Sequence, residues 1–166
     1  MNYIGQTIGI LAIIVSALIY IQPNRYRMVF LKLVTDFLWV AHHILIFSYP
    51  AAATTGIAIL REFIFLPKGK NNHNKAVLVV FSALFAAAAV FTWKDSFSVL
   101  PAIASVLSTV AFGSSKIRLI RIFAFMSSVC MFVYGLHYFS IPTIINEILV
   151  EGSIIFSLAQ EKKAKG

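Results

Sequence analysis

Long apolar runs separated by short polar clusters set the layout of this chain. Seven runs, at about 3–21, 28–47, 50–66, 76–93, 97–113, 118–138 and 141–159, are each close to the 17 to 25 residues that cross ~30 Å of hydrocarbon as a helix. The breaks read QPNRYR, SYP, PKGKNNHNK, KDS, GSSK and SIP, rich in the Pro, Gly, Asn and Ser of turns. Run three is the least uniform, because Arg61 and Glu62 lie inside it, so an interfacial or re-entrant segment is its alternative.

Charge placement settles how run three is read. With seven crossings, Arg25, Arg27, Lys68, Lys70, Lys75, Lys116, Arg118, Lys162, Lys163 and Lys165 fall on one side, and Lys94 alone falls on the other. Such asymmetry is expected of cytoplasmic loops, and it disappears if run three does not cross. The expected topology is therefore N-terminus out and C-terminus in. Lys32, Arg61 and Arg121 sit within two turns of the basic face, where long side chains snorkel.

Composition agrees. Apolar residues make up 60% of the 166 residues and charged residues 12%, far more apolar surface than one small soluble core buries. The formal charge of +8 is absorbed by topology, so nucleic acid is not an expected partner and the lipid bilayer is. The basic tail reads as solvated. Cys130 has no second cysteine to pair with and reads as a core residue. MNYIGQT carries no basic residue ahead of its apolar stretch, the pattern of a retained first helix.

The tetrapeptide FSYP at Phe47 to Pro50 returns as FSIP at Phe139 to Pro142, an offset of 92 residues. The same offset carries runs one to three onto runs five to seven and leaves run four over. The expected fold is all-α: two parallel three-helix bundles, 1–67 and 97–160, joined by a linker helix at 76–93 and followed by a tail at 161–166. One extra crossing keeps both triplets in the same orientation, a known transporter plan. Run four has no ionisable residue and is expected to line nothing. Its alanines, and the Gly5-xxx-Gly9 spacing of run one, suit close helix packing, with a homo-oligomer interface as the alternative.

The stretch HHILIFSYPAAATTGIAILREFIF resembles the YgjV family of bacterial inner-membrane proteins in its Tyr-Pro outer turn, small-residue run and Arg further along the third helix. The resemblance extends over nearly the whole chain and is most specific at about 24–66. It implies a multi-pass inner-membrane protein with no assigned biochemical activity. More distantly, the 3+1+3 plan is similar to the SWEET and PQ-loop transporters, which implies a solute path between the bundles. The chain lacks their Pro-Gln dipeptide: Gln22-Pro23 reverses it and Pro101 is followed by Ala102. Asn146 could stand for the third-helix Asn of SWEET-like proteins, and Thr54 occupies the matching site of the first repeat.

Polar residues at bilayer depth cost at least ~2.5 kcal/mol if ionisable, so each needs a partner or water. Asp36 lies roughly 12 Å and Arg61 roughly 8 Å from the basic end, and an Asp36–Arg61 ion pair is expected, serving to lock helices or to meet solute. Asp36, Trp39 and His43 share a face that His42 leaves. The His-His pair has no third ligand beside it, so neither a metal nor a cofactor is expected. On run seven, Thr143, Glu147 and Glu151 form a stripe with Asn146 beside it. The stripe either lines a water-filled path, with a carboxylate that binds solute or exchanges protons, or makes a packing seam closed by Arg61 or Arg121. Trp39 and Tyr134 lie deeper than the interfacial belt of Trp93, Tyr49, Tyr138 and His137. No nucleophile–base spacing, HExxH, GxSxG or phosphate loop occurs, so no enzyme is expected. The leading expectation is a transporter of a small polar solute using Asp36, Trp39, His43, Thr54, Arg61, Asn146, Glu147 and Glu151. The alternative is a non-transporting scaffold or regulatory subunit.

Overall fold

A computed structural model describes residues 3–45, 49–66, 75–91, 93, 95–137 and 141–163. Phe47, Ser48, Phe139 and Ser140 of the repeated tetrapeptide, and the charges Lys68, Lys70, Lys94 and Lys165, lie outside them, as does Tyr138. Among the described residues all regular structure is helical. Seven α-helices follow in order: α1 Tyr3–Ile19, α2 Arg25–Leu45, α3 Tyr49–Phe65, α4 Lys75–Phe91, α5 Leu100–Gly113, α6 Ile117–His137 and α7 Ile141–Lys163, with a 3-10 turn at Ser96–Val99 before α5. By length and composition α2, α6 and α7 can each cross a membrane, and Thr7–Ile19, Ala76–Phe91 and Leu100–Gly113 are shorter apolar helices.

Some ends differ from the expected runs. α2 starts at Arg25 because Asn24 Oδ1 accepts the Tyr26 N–H at 2.8 Å, a local cap that draws both loop arginines into the first turn. α5 starts later than expected because the Ser96–Val99 turn precedes it and Pro101 occupies its first turn. That turn is held to the end of α6, where the His137 and Phe97 rings stack at 3.8 Å. α7 runs on to Lys163, past the expected end at about residue 159, so Glu161 stands on a helix.

The helices pack as a closed circuit. α1 lies on α2, α2 on α3, α5 on α6 and α6 on α7; α3 meets α5, α7 meets α1, and α4 packs mainly on α5 with a smaller contact to α3. Polarity is inverted relative to a soluble protein. Ile10, Leu60, Val79, Phe91, Ile148 and Phe156 are exposed, while Asp36, Arg61, Glu62, Arg121 and Glu147 are buried. An apolar exterior around a polar interior is what lipid as solvent selects.

The buried apolar cluster sits at one end of the circuit. Ile19 and Tyr20 at the end of α1, Met28 and Val29 near the start of α2, Phe65, Ala111 and Phe112 at the ends of α3 and α5, and Ile120, Ala124, Val150 and Ile154 fill it. This is the end that carries Arg25, Arg27, Lys116 and Arg118.

α1 approaches α2 through its glycines. The Gly5 carbonyl lies 2.8 Å from His42 Nδ1, and since a carbonyl only accepts, Nδ1 carries the proton. A Cβ on Gly9 would meet the same nitrogen at 2.8 Å, whereas one on Gly56 meets nothing within 4 Å. Gly9→Ala is therefore expected to displace the imidazole and cost about 1–3 kcal/mol, while Gly56→Ala changes stability by no more than about 1 kcal/mol in the stabilising direction. Melting of the two variants in detergent checks this; equal melting points would remove the close-approach argument.

Candidate functional site: a polar cavity within the helix circuit

A cavity of ≈ 640 Å³ lies inside the circuit, with side chains from all seven helices in its wall. The apolar cluster closes off one end of the molecule, and from it the wall runs from Tyr20 and Lys32 to His43 and Tyr134. Lys32 to His43 on α2 is about 16 Å along the axis, half the thickness of a hydrocarbon core.

The α2 contribution follows from helical spacing. Lys32, Thr35, Asp36, Trp39 and His43 all reach the wall, since Lys32, Asp36, Trp39 and His43 recur at steps of three or four and Thr35 lies three after Lys32. Lys32 and Asp36 form an ion pair one turn apart. Asp36 Oδ2 has no hydrogen-bond partner among the described residues, and neither has His43 Nδ1. The Trp39 and His43 rings stack at 5.6 Å. His42 leaves this face for Gly5.

Arg61 departs from expectation. It does not pair with Asp36 and does not snorkel; it is 1% exposed and its guanidinium donates to Glu62 Oε1 at 2.7 Å from Nη2 and 3.2 Å from Nε. Its Nη1 donates to the Ser105 carbonyl at 3.1 Å and to Thr109 Oγ1 at 3.0 Å, and the Phe85 ring lies 5.7 Å from Cζ. Asp36 and Arg61 each take a partner close in sequence instead, Lys32 one turn away and Glu62 next in the chain. Arg61 thus ties α3 to α5 and faces the cavity from its inner end.

On α7, Asn146 and Glu147 line the wall with Thr143 and Val150. Glu147 Oε2 accepts the Ser128 hydroxyl at 2.6 Å and Oε1 accepts Asn146 Nδ2 at 2.8 Å, leaving Asn146 Oδ1 without a partner among the described residues. Glu151 is not in the wall; it stands behind Ser128, its Oε1 at 3.5 Å from that hydroxyl. Neither Arg61 nor Arg121 closes the stripe, since Arg121 binds Glu161 and the carbonyls of Tyr20 and Gln22. The cavity thus gathers Asp36, Trp39, His43, Thr54, Arg61, Asn146 and Glu147, and excludes Glu151.

Sequence reasoning missed two contributions. α4 supplies Phe85, Ala88 and Ala89 to the wall, although it has no ionisable residue after Lys75; its small side chains leave the space that the other helices line with polar groups. Ser105, Ser108, Ser127 and Ser128 supply hydroxyls or carbonyls. The signal was present as Ser105, with Ser108 and Thr109 three and four residues further on, on one face of a mostly apolar helix.

The sequence matches the family model Imp-YgjV, bacterial inner membrane protein, over residues 3–165. The chain belongs to this family. Membership of Imp-YgjV places the helix circuit in the bacterial inner membrane and accounts for its apolar exterior. No curated protein and no solved structure matches this member of Imp-YgjV.

Proposed function

We propose that this inner-membrane protein moves a small polar solute across the bilayer by alternating access between two parallel three-helix repeats, α1–α3 and α5–α7, with α4 as the linker. The observation that carries the reading is the polar cavity at bilayer depth, closed at the basic end. A structural seam has no need of ≈ 640 Å³, a volume within the range of small-molecule sites.

The 92-residue frame is supported from inside the molecule. The wall contains Ser16 and Ser108, Thr35 and Ser127, Asp36 and Ser128, Thr54 and Asn146, and Thr55 and Glu147, each pair offset by that interval. Tyr20 and Phe112, also so related, touch with ring centroids 6.4 Å apart, as residues beside a pseudo-twofold axis do. The α3–α5 and α7–α1 contacts are equivalent under the same operation.

The closed end has reciprocal fastenings. Arg25 on α2 donates to the carbonyls of Phe112 and Ser114 at 2.8 and 2.7 Å. Arg121 on α6 donates from Nε to the Tyr20 carbonyl at 3.0 Å and from Nη2 to the Gln22 carbonyl at 3.2 Å. The acceptors correspond under the 92-residue offset, and each arginine crosses from one repeat to the other. With the basic end cytoplasmic, this is a conformation shut on the cytoplasmic side, and opening requires these bonds to break while the apolar cluster separates.

Proteoliposomes loaded with a mixed metabolite extract test the reading. Protein-dependent loss of at least one polar solute is expected, slowed about tenfold or more by Glu147→Gln. Vesicles that retain every solute would overturn transport and leave the scaffold.

A further inference from the structure

The chemical class of the solute follows from what the cavity offers and lacks, and this step rests on reading the cavity as a solute site. Its charges nearly cancel: Lys32 is paired with Asp36 and Arg61 with Glu62. Glu147 is the remainder. It is held by two neutral donors, Ser128 and Asn146, and Lys32, which also lines the wall, is already bonded to Asp36. The wall, with its ion-pair partners, therefore carries one carboxyl group more than it carries basic groups, and a cation beside Glu147 would hold that group ionised.

The unsatisfied groups have the same sign. Asp36 is 3% exposed, and its Oδ2 and the Oδ1 of Asn146 are buried acceptors without partners among the described residues. Buried acceptors left empty cost the desolvation of each group, and a ligand that donates hydrogen bonds recovers it. An anion would face Glu147 and bring acceptors to acceptors. A neutral polyol could donate but would give the surplus carboxyl group no counter-charge. Beside these groups lies the Trp39–His43 ring stack, an apolar flank for a short carbon skeleton.

We infer that the cavity binds a small organic cation bearing N–H donors, an amine or guanidine, with its head between Glu147, Asn146 and the free oxygen of Asp36. Charge pairing with Glu147 supplies affinity, and the two orphan acceptors select N–H donors over fully alkylated ammonium ions.

Trp39 reports binding directly. In the full-length protein with Trp93→Phe, which leaves Trp39 as the sole tryptophan, fluorescence titrations would use agmatine, ethylamine, tetramethylammonium, glucose and acetate. Saturable responses to agmatine or ethylamine, weaker for tetramethylammonium and absent for glucose and acetate, are expected. Glu147→Gln, which keeps the side-chain shape, should weaken amine binding by about tenfold to a hundredfold. Asn146→Asp should tighten it, and Asp95→Asn, at the surface turn, should leave it within about twofold. A gain of affinity cannot come from misfolding, so the Asn146 variant keeps the test decisive if Glu147→Gln unfolds. Saturable binding of glucose or acetate, or no response to either amine, would overturn the assignment. Flux of a neutral or anionic solute through proteoliposomes would do the same while transport stands, and amine binding without any flux would overturn transport while the cation site stands.

Discussion

Arg61→Met is expected to remove most of the folded protein from a detergent extract, a loss of about 3–5 kcal/mol, the size typical of breaking one side of a buried ion pair. Arg61 is the largest fully buried side chain among the described residues, and Glu62 beside it is 0% exposed. Without the guanidinium, the Glu62 carboxylate loses both donors to Oε1 while its Oε2 has none among the described residues to begin with. The α3–α5 contact also loses its bonds to Ser105 and Thr109. Arg61→Lys is not a rescue, because one ammonium cannot span Glu62 on one side and two α5 acceptors on the other. The double change Arg61→Met with Glu62→Gln should recover part of the loss, since no unpaired charge then stays behind. Monodispersity and melting in one detergent measure all three. A single variant that melts like the parent would mean that water reaches Glu62 and that the pair does not hold the helices.

Loosening the basic end is expected to have the second largest effect. Arg25→Gln together with Arg121→Gln deletes four guanidinium-to-carbonyl bonds across the two repeats. At about 2 kcal/mol for one fastening, the balance between shut and open shifts roughly 30-fold, and by more for both. Ser108→Cys, placed in the wall of a Cys130→Ala background, reads the change. An impermeant thiol reagent applied to the basic face of inside-out vesicles should label it slowly in the parent and many times faster in the double variant. Labelling that stays slow would assign closure to the apolar cluster alone and remove the arginines from the mechanism.

The helices were largely legible because each is an apolar run bounded by turn residues, and that signal needs no tertiary information. The face of α2 was legible for the same reason: Asp36, Trp39 and His43 share a side by spacing alone, and the structure directs all three at one cavity. Partnerships were not legible. Arg61 has several rotatable bonds, and whether it turns to Asp36, to Glu62 or to α5 depends on where α5 lies, which no local pattern states. Hydroxyls were hidden differently. Ser16, Thr35, Thr109 and Ser157 each bond the carbonyl four residues earlier, so a Ser or Thr in an apolar helix satisfies itself and announces nothing. Ser127 and Ser128, which reach the Ala104 carbonyl and Glu147, and Thr109, which also accepts from Arg61, show how such residues can join helices.

The reciprocal arginine contacts also shape which mutations this protein can tolerate. Their acceptors are main-chain carbonyls at positions 20, 22, 112 and 114, and no substitution deletes a carbonyl. Drift at those four positions leaves the bonds available, provided the helix ends keep their course. The genetic vulnerability of these bonds is therefore concentrated in two codons, those for Arg25 and Arg121, and a screen for leaky variants should return to them repeatedly, while hits at positions 20 and 112 act through the apolar cluster that Tyr20 and Phe112 help to fill.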